Sequence, residues 1–589
     1  MIRRLLLSFA LVATLTASAD ETFPKPGWKD APSPLASPDA VPGGTLVFAA
    51  DQPPKSLNYY LDNSSFTIQV FDSLFETLLG NDPLTADFVP NLASHWTLST
   101  DKRTFTFTID PAAKWSDGQP VTAADVKWTF DMIMAPTNQT GPAKVALQTF
   151  TNTPPVIVDA RTIRFTAGEI HWRNLQALGG FEILPAHVFS NADFNKINFD
   201  FPVVSGPYRL GSLKENIELR LERRADWWQW SRPSTRGTLN FQTIVYRFFA
   251  EQENAFEAFK KGELDVFPVY MARLWVNEAK GDKFDRHWIV KQRVRNHRPL
   301  GFQGFTMNLR RPLFSDLRVR KALALLLDRD KMNRTLMYNA YFLQRSYFED
   351  LYDASQPCTN ALYAFDAAQA GKLLDDAGWR ANAQTGWREK DGKRLSFIFL
   401  TRDASSDKFL ALYSEDLKKA GIEIKIDRKD WAAWVRDMEA FQFDMTWAAW
   451  GSALFKDPED MWASSEADRP SGNNYTGFKD ARVDALIEKQ KTIFDLAERN
   501  KICREIDSIL TAQIPYVLLW NLDYTRLLYW NKFGTPPTVL GKLGDERALF
   551  TYWWYDADSA AELKAATSAN TPLPQRPDYI DFDKVFKAP

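Results

Sequence analysis

The sequence predicts a mixed fold, α/β or α+β in type, divided over about three or four domains at roughly 100–200 residues each. Three observations lead there. The chain has 589 residues, 45% hydrophobic and 25% charged, which is ordinary globular usage and excludes disorder, collagen-like repeats and a disulfide-dense mini-fold. Strand patterns at 217–223, 241–249, 288–294, 395–400 and 422–427 alternate with helical patterns at 252–261, 317–339, 365–377, 406–420 and 480–512. Self-similarity at a period of about 20–50 residues is absent, so a repeat array is excluded.

The elements follow in order. Arg3 and Arg4 lead into the apolar run Leu5 to Leu15 and the small residues up to Ala19, the three regions of a secretory signal with cleavage after Ala19. Asp20 stands where a lipoprotein needs Cys, and no later segment reaches the roughly 18 apolar residues of a membrane span. The mature chain is therefore expected free in a periplasm or outside the cell. Residues 20–43 carry six prolines and read as a stiff, extended lead-in. Globular structure should begin near Gly44, with a strand at Thr45–Phe48 and a helix over Ser65–Leu79. Arg103–Ile109 alternates strictly, placing Phe105, Phe107 and Ile109 on one face of a half-buried strand. After the turn cluster Trp115–Pro120, Thr122 and Asp125 mark a capped helix start. From Ser559 onward periodicity fades, and a surface-wrapping tail is expected.

Much chemistry is excluded. With 72 Lys and Arg against 74 Asp and Glu, the net charge of -2 gives no field for a nucleic-acid partner. Cys358 and Cys503 allow one bridge or two inert buried thiols, and no framework. There is no GxxxxGK[ST] loop, no GxGxxG after a strand and no GxSxG elbow. The five histidines, His95, His171, His187, His287 and His297, lack metal-ligand spacing, so neither a metal nor another cofactor is expected. Acidic pairs such as Asp457 with Glu459 and Asp460, or Asp375 with Asp376, read as a solvated helix start and a helix end rather than as glycosidase carboxylates. The 21 Trp, 42 Phe and 18 Tyr are mostly core, with a minority left for a cleft.

Segments in fixed order resemble the family 5 extracellular solute-binding proteins of bacterial ABC importers, of the oligopeptide/dipeptide type. They are 71–131, with the family's aromatic "E-x-L-L" helix, "P-x-L-A-x-x-W" and "W-x-D-G-x-P-V-T-A-x-D-V"; SGPYRL at 205–210; AFKKGELDVF at 258–267; 307–333, similar to "D-x-R-V-R-x-A-L-x-x-x-x-D-R"; then 361–379, 416–426 and 443–462. AFEAFKKGELDVF, PLGFQGFTMNLRRPLF, KMNRTLMYNAYFLQRSYFED and WNKFG look most like the Yej-type subgroup, associated with oligopeptide and microcin C uptake, although the connection between Tyr347 and Tyr363 looks shorter. The resemblance implies a two-lobe clamshell with an extra domain, closing by hinge motion. It divides the chain into a signal peptide at 1–19, the lead-in at 20–43, lobe I at 44–72, 204–305 and 523–589, domain II at 73–203 and lobe III at 306–522. It also implies a monomeric, non-enzymatic receptor that hands a peptide-like solute to an inner-membrane permease and its ATPase. An oligosaccharide or muropeptide receptor of the same shape is the alternative, with a secreted glycoside hydrolase as the rival of another class.

A receptor for varied peptides draws its affinity from the shared backbone, and addition of a strand to a sheet edge supplies this. Two segments resemble the family's edge strands: Asn63-Ser64-Ser65, and Ala449-Trp450-Gly451-Ser452-Ala453. Small residues at 451–453 admit a ligand backbone, while Trp447 and Trp450, three apart, are candidate flat walls. Without the resemblance, FDMTWAAW reads as a buried strand. Many peptide-binding relatives carry an Asp for the ligand's α-ammonium where this chain has Ala453. Either Asp457 or Asp460 substitutes, or the ligand lacks a free amino end. Asn473, Asn474 and Tyr475 offer polar groups on a loop that suits the cleft or a surface turn equally, and Trp520 is a further candidate wall.

Overall fold

A computed structural model describes residues 20–587. The expected signal peptide lies outside the described residues, among which no helix is long and apolar enough to cross a membrane.

Three sheets organise the chain. The largest has eight strands. Strand β2 (Thr45–Ala50) runs parallel to β9 (Thr243–Phe248), and β10 (Val266–Pro268), β17 (Tyr524–Trp530) and β11 (Ile289–Arg295) follow on its other side. Beyond β9 come β8 (Glu218–Arg223) and β7 (Tyr208–Lys214), and the far edge is β18 (Tyr579–Asp581), paired parallel to β11. The carboxyl end is thus not a loose wrapping tail. It forms helix α13 (Ala557–Ala569), capped by Asp556, and then the edge strand, because Ile580 and Phe582 supply the apolar contacts that seat it.

The second sheet is antiparallel, in the order β1 (Glu21–Phe23), β3 (Ala93–Leu98), β4 (Thr104–Ile109), β6 (Thr162–Thr166), β5 (Val156–Asp159). In β4, Phe105, Phe107 and Ile109 are buried and the threonines between them are partly exposed, as the alternation requires. Helix α2 (Ala123–Met134) opens where Asp125 accepts from both Thr122 N and Thr122 Oγ1, at 2.8 and 2.9 Å. The lead-in is packed, where a stiff, extended segment was expected. Phe23 stacks on Trp96 at 5.4 Å, and Leu35 is buried with Tyr552 and Phe582. Prolines limit its backbone pairing, but the apolar residues between them still gain by burial.

The third sheet is mixed, in the order β14 (Glu423–Arg428), β13 (Ser396–Thr401), β15 (Met445–Trp450), β12 (Phe302–Met307), β16 (Tyr516–Leu518). Because β12 begins at Phe302 and pairs with Trp450, residues 302–305 belong to this sheet and not to the first lobe. The helical run 317–339 is two helices, α5 (Leu317–Leu325) and α6 (Arg329–Leu336), since Asp328 turns its carboxylate onto Lys331 N. Asp495 likewise splits 480–512 into α11 (Ala481–Lys491) and α12 (Leu496–Gln513). A lone acid inside a periodic run prefers the cap, where its carboxylate meets free N–H groups.

The cores decide which parts move together. Leu46, Phe71, Trp96, Phe107, Phe165, Tyr529 and Trp553 share one cluster, so the first two sheets rest on a continuous core. Two separate clusters cover the two faces of the third sheet. The chain passes between these bodies at 296–301 and again at 521–523. Cys358 and Cys503 are free thiols.

Candidate ligand cleft

The carboxyl ends of β13, β14 and β15, which run parallel, lie at the end of the third sheet where the chain crosses to the first. In open parallel sheets, ligands gather at this end. β13 pairs with β15 only through Phe399–Met445 and Leu400–Thr446. Residues Trp447–Trp450 overhang it with one edge outside that ladder, while their other edge is held by β12. Gly301 permits this approach of the crossover: a Cβ there would sit 1.9 Å from the Trp450 carbonyl oxygen. Gly451 is the opposite case, exposed and with nothing within 4 Å of an added Cβ.

The loop beyond is fixed before any ligand arrives. The Lys456 side chain is 4% exposed, and its ammonium reaches Asp350 at 2.6 Å, Ser452 Oγ at 2.5 Å and the Ala453 carbonyl at 2.8 Å. One buried cation therefore ties two points of the turn to Asp350, and that carboxylate offsets the cost of its desolvation.

Across the cleft, two cavities of about 1100 and 680 Å³ meet at Gln69, Tyr246 and Arg547. Their linings come from the first two sheets and their helices, including α1 (Ser65–Leu74). Asp72 opens into the larger cavity and accepts a hydrogen bond from the carboxyl of the buried Glu182, whose Oε2 accepts from Tyr60 OH at 3.2 Å. Burial raises both carboxyls, and the Asp72 charge pushes Glu182 further. Nearby, burial pushes Glu76 up to about 7, against hydrogen bonds donated by Trp228 and Gln229.

One flank is closed by ion pairs. Helix α3 (Arg173–Gly179) begins at Arg173, which reaches Asp457 at 3.1 Å and Glu459 at 3.0 Å. Glu459 also meets Lys491 at 2.5 Å and the buried His171 at 3.5 Å. Burial alone would raise Glu459, but its ion pairs with His171, Lys491 and Arg173 outweigh it and hold the carboxyl down at about 2. Trp172 N donates to the Lys491 carbonyl and Trp172 Nε1 to Gln490 Oε1, and Phe88 stacks on Phe455 at 5.6 Å. The acids at 457–460 are therefore a bridge between two bodies, where a solvated helix start was expected. His171, Asp457 and Glu459 bring three metal-capable atoms together, but Arg173 and Lys491 already supply the counter-charge.

The structure separates the residues singled out in the sequence. Ala449, Gly451 and Ala453 are exposed, Trp450 and Ser452 half-buried, and Asn473 exposed beside the half-buried Tyr475. Trp450 Nε1 donates to Tyr516 OH at 3.1 Å, and its ring lies 4.9 Å from Tyr475. Asn474 is buried and bonds the carbonyls of Ala463 and Phe478, so it shapes the loop from within. Trp447 and Trp450 are not two walls of one site. Residues three apart in a strand face opposite ways, and Trp447 turns into the core against Phe305, Phe409 and Trp520, with Nε1 on Gln303 Oε1. Trp520, 3% exposed, is a core residue and no wall. Asn63–Ser65 is no edge strand either, because Ser64 caps α1 through Thr67 N at 3.1 Å. Asn63 lines the larger cavity, and Ser64 and Ser65 the smaller. Neither cavity's lining includes a residue of 306–522.

Sequence reasoning missed Asp72, Glu182 and Arg547, which no motif marks, and Trp431 with Trp434. The last pair had a signal: Trp-Ala-Ala-Trp occurs twice, at 431–434 and 447–450.

Comparison with known proteins agrees with this architecture. Residues 87–472 match the model described as bacterial extracellular solute-binding proteins, family 5 Middle. The YejA protein of Escherichia coli K12 is 27% identical over 573 residues, covering 90% of this chain and 92% of YejA. The peptidoglycan-binding protein YepA of Agrobacterium fabrum is 25% identical over 586 residues, covering 88% and 92%. Among solved structures, the oligopeptide-binding protein AppA of Bacillus subtilis, in complex with a nonapeptide, superposes with a TM-score of 0.67 at 20% identity, over 88% of this chain and 99% of AppA. With two bodies joined by repeated crossovers around a cleft, and a family match over most of its length, the chain belongs to the family 5 bacterial extracellular solute-binding proteins.

Proposed function

We propose that this chain is the periplasmic substrate-binding component of an ABC importer, capturing an oligopeptide or peptide-like solute between its bodies and delivering it to an inner-membrane permease and its ATPase. The observation that carries the reading is the overhanging edge of β15, which runs into the open backbone at Gly451. An extended ligand adds there as a strand, with its backbone amides supplying sequence-independent affinity. The receptor acts as a monomer in the periplasm, after cleavage behind Ala19. We take the moving bodies to be lobe III, starting at Phe302, against lobe I with domain II, hinged at the two crossovers.

A second reading is favoured by one residue. Ala453 supplies no carboxylate, Asp457 is engaged with Arg173, and Asp460 faces the same guanidinium charge. A solute whose amino end is blocked by another group suits this turn, and YepA, named for peptidoglycan binding, is a relative. Native mass spectrometry of the mature protein from a periplasm, followed by fragmentation of the released ligand, tests both readings. Heterogeneous amide-containing masses support a peptide receptor, amino-sugar increments support a peptide-linked glycan, and plain hexose ladders remove the peptide reading. The mass of the protein itself reports whether it begins at Asp20.

A further inference from the structure

Helix α9 (Trp431–Glu439) starts at the same end of the third sheet as the overhanging β15 edge. Its first turn carries Trp431 and Trp434, whose rings stack at 5.4 Å with 22° between planes. Arg402, just past the end of β13, places its guanidinium 5.2 and 5.4 Å from the two ring centres and pairs with Asp403 at 3.2 Å. Trp431 is 60% exposed, whereas most large aromatics of this chain are buried. The pair is anchored inward through a buried apolar cluster. Trp434 packs in the cluster of Leu400, Met438 and Phe443 that also touches Tyr475, and Tyr475 contacts Trp450. An indole left in water, as Trp431 is, forgoes apolar burial, and here a stack on the half-buried Trp434 and a cation fix it in place.

We infer that Trp431, Trp434 and Arg402 form a ring-binding subsite at the lip of the cleft, which takes the CH-lined face of a sugar ring carried by a solute whose peptide portion lies along β15. The inference rests on the peptide-like reading above. Three features select a sugar over an aromatic side chain. The shelf is open, so a ring can lay its CH face on indole while its hydroxyls stay in water. Arg402 and Asp403 offer donors and an acceptor together at the ring edge, as hydroxyls and an acetamido group require. The shelf also lies at the end of the sheet where the turn at Ala453 leaves β15, and a blocked amino end there would leave a group to be accommodated.

The test titrates the full mature chain with three probes: a short peptide, the same peptide with an N-acetylhexosamine linked at its amino end, and the same peptide with phenylalanine there. The sugar-bearing probe should bind tenfold or more tighter than the bare peptide. Trp431→Ala should erase that gain, leave bare-peptide affinity within twofold and leave the melting temperature unchanged, and Trp431→Phe should keep part of it. The subsite is overturned if peptide binds but sugar adds nothing, if the gain survives Trp431→Ala, or if phenylalanine gains equally through Trp431. Failure of all three probes to bind the unaltered protein overturns the peptide-like reading along with it.

Discussion

At the scale of single residues, two substitutions separate ligand contact from packing. Gly451 is exposed and an added side chain meets nothing, so Gly451→Val should leave thermal stability near that of the unaltered protein while weakening ligand binding tenfold or more by blocking the approaching backbone. Calorimetry beside a ligand titration reads both numbers, and a matching loss of stability would place Gly451 in the core instead. Trp450→Ala should cost about 1–3 kcal/mol of binding. Unchanged affinity in that variant would remove Trp450 from the site. The bare backbone at 451 was legible in the sequence because a glycine followed by small residues carries no side chain to cover it. Trp447 and Trp520 stayed ambiguous, since a tryptophan that walls a cleft and one that fills a core are the same letter until the partners across the fold, Phe305 and Phe409, are in view.

At the scale of elements, the bridge between α3 and the start of α10 (Glu459–Trp462) carries a pH signature. Glu459 stands at about 2 against an ordinary 4.5, with Arg173, His171 and Lys491 facing it and Asp457 and Asp460 beside it. A depressed carboxyl contributes its full stabilisation above the unfolded value, and loses it as pH falls from about 4.5 through about 2. Denaturant unfolding of Glu459→Gln should therefore show a smaller drop in midpoint across that window than the unaltered chain. Equal drops would assign the acid sensitivity elsewhere. Element type was readable wherever periodicity ran uninterrupted, as in α4 (Gln252–Lys261) or β4. It failed at Asp328 and Asp495, where a capping side chain overrode the apolar pattern. The doubled Trp-Ala-Ala-Trp is the sharpest case: one copy opens a helix and stacks its rings on one side, the other is strand and sends them to opposite faces. Four residues do not choose between these outcomes; the sheet neighbours of the second copy do.

At the scale of the whole molecule, the resemblance implied that the chain crosses between lobes more than once, whereas it did not imply the union of the first two sheets in one core. That union joins residues far apart in sequence, Phe107 and Tyr529 among them, so no local pattern announces it. It matters for timing. Both cavities are walled by that single body alone, so that side of the proposed cleft is complete whatever the position of the third sheet, and only the β15 side has to arrive. Capture should then be sequential, a diffusive encounter followed by a unimolecular rearrangement. In rapid mixing, the fast phase should quicken in proportion to solute concentration, while the slow phase should level off at a ceiling set by the protein, and that ceiling should rise or fall with substitutions at Arg173 that leave the fast phase untouched.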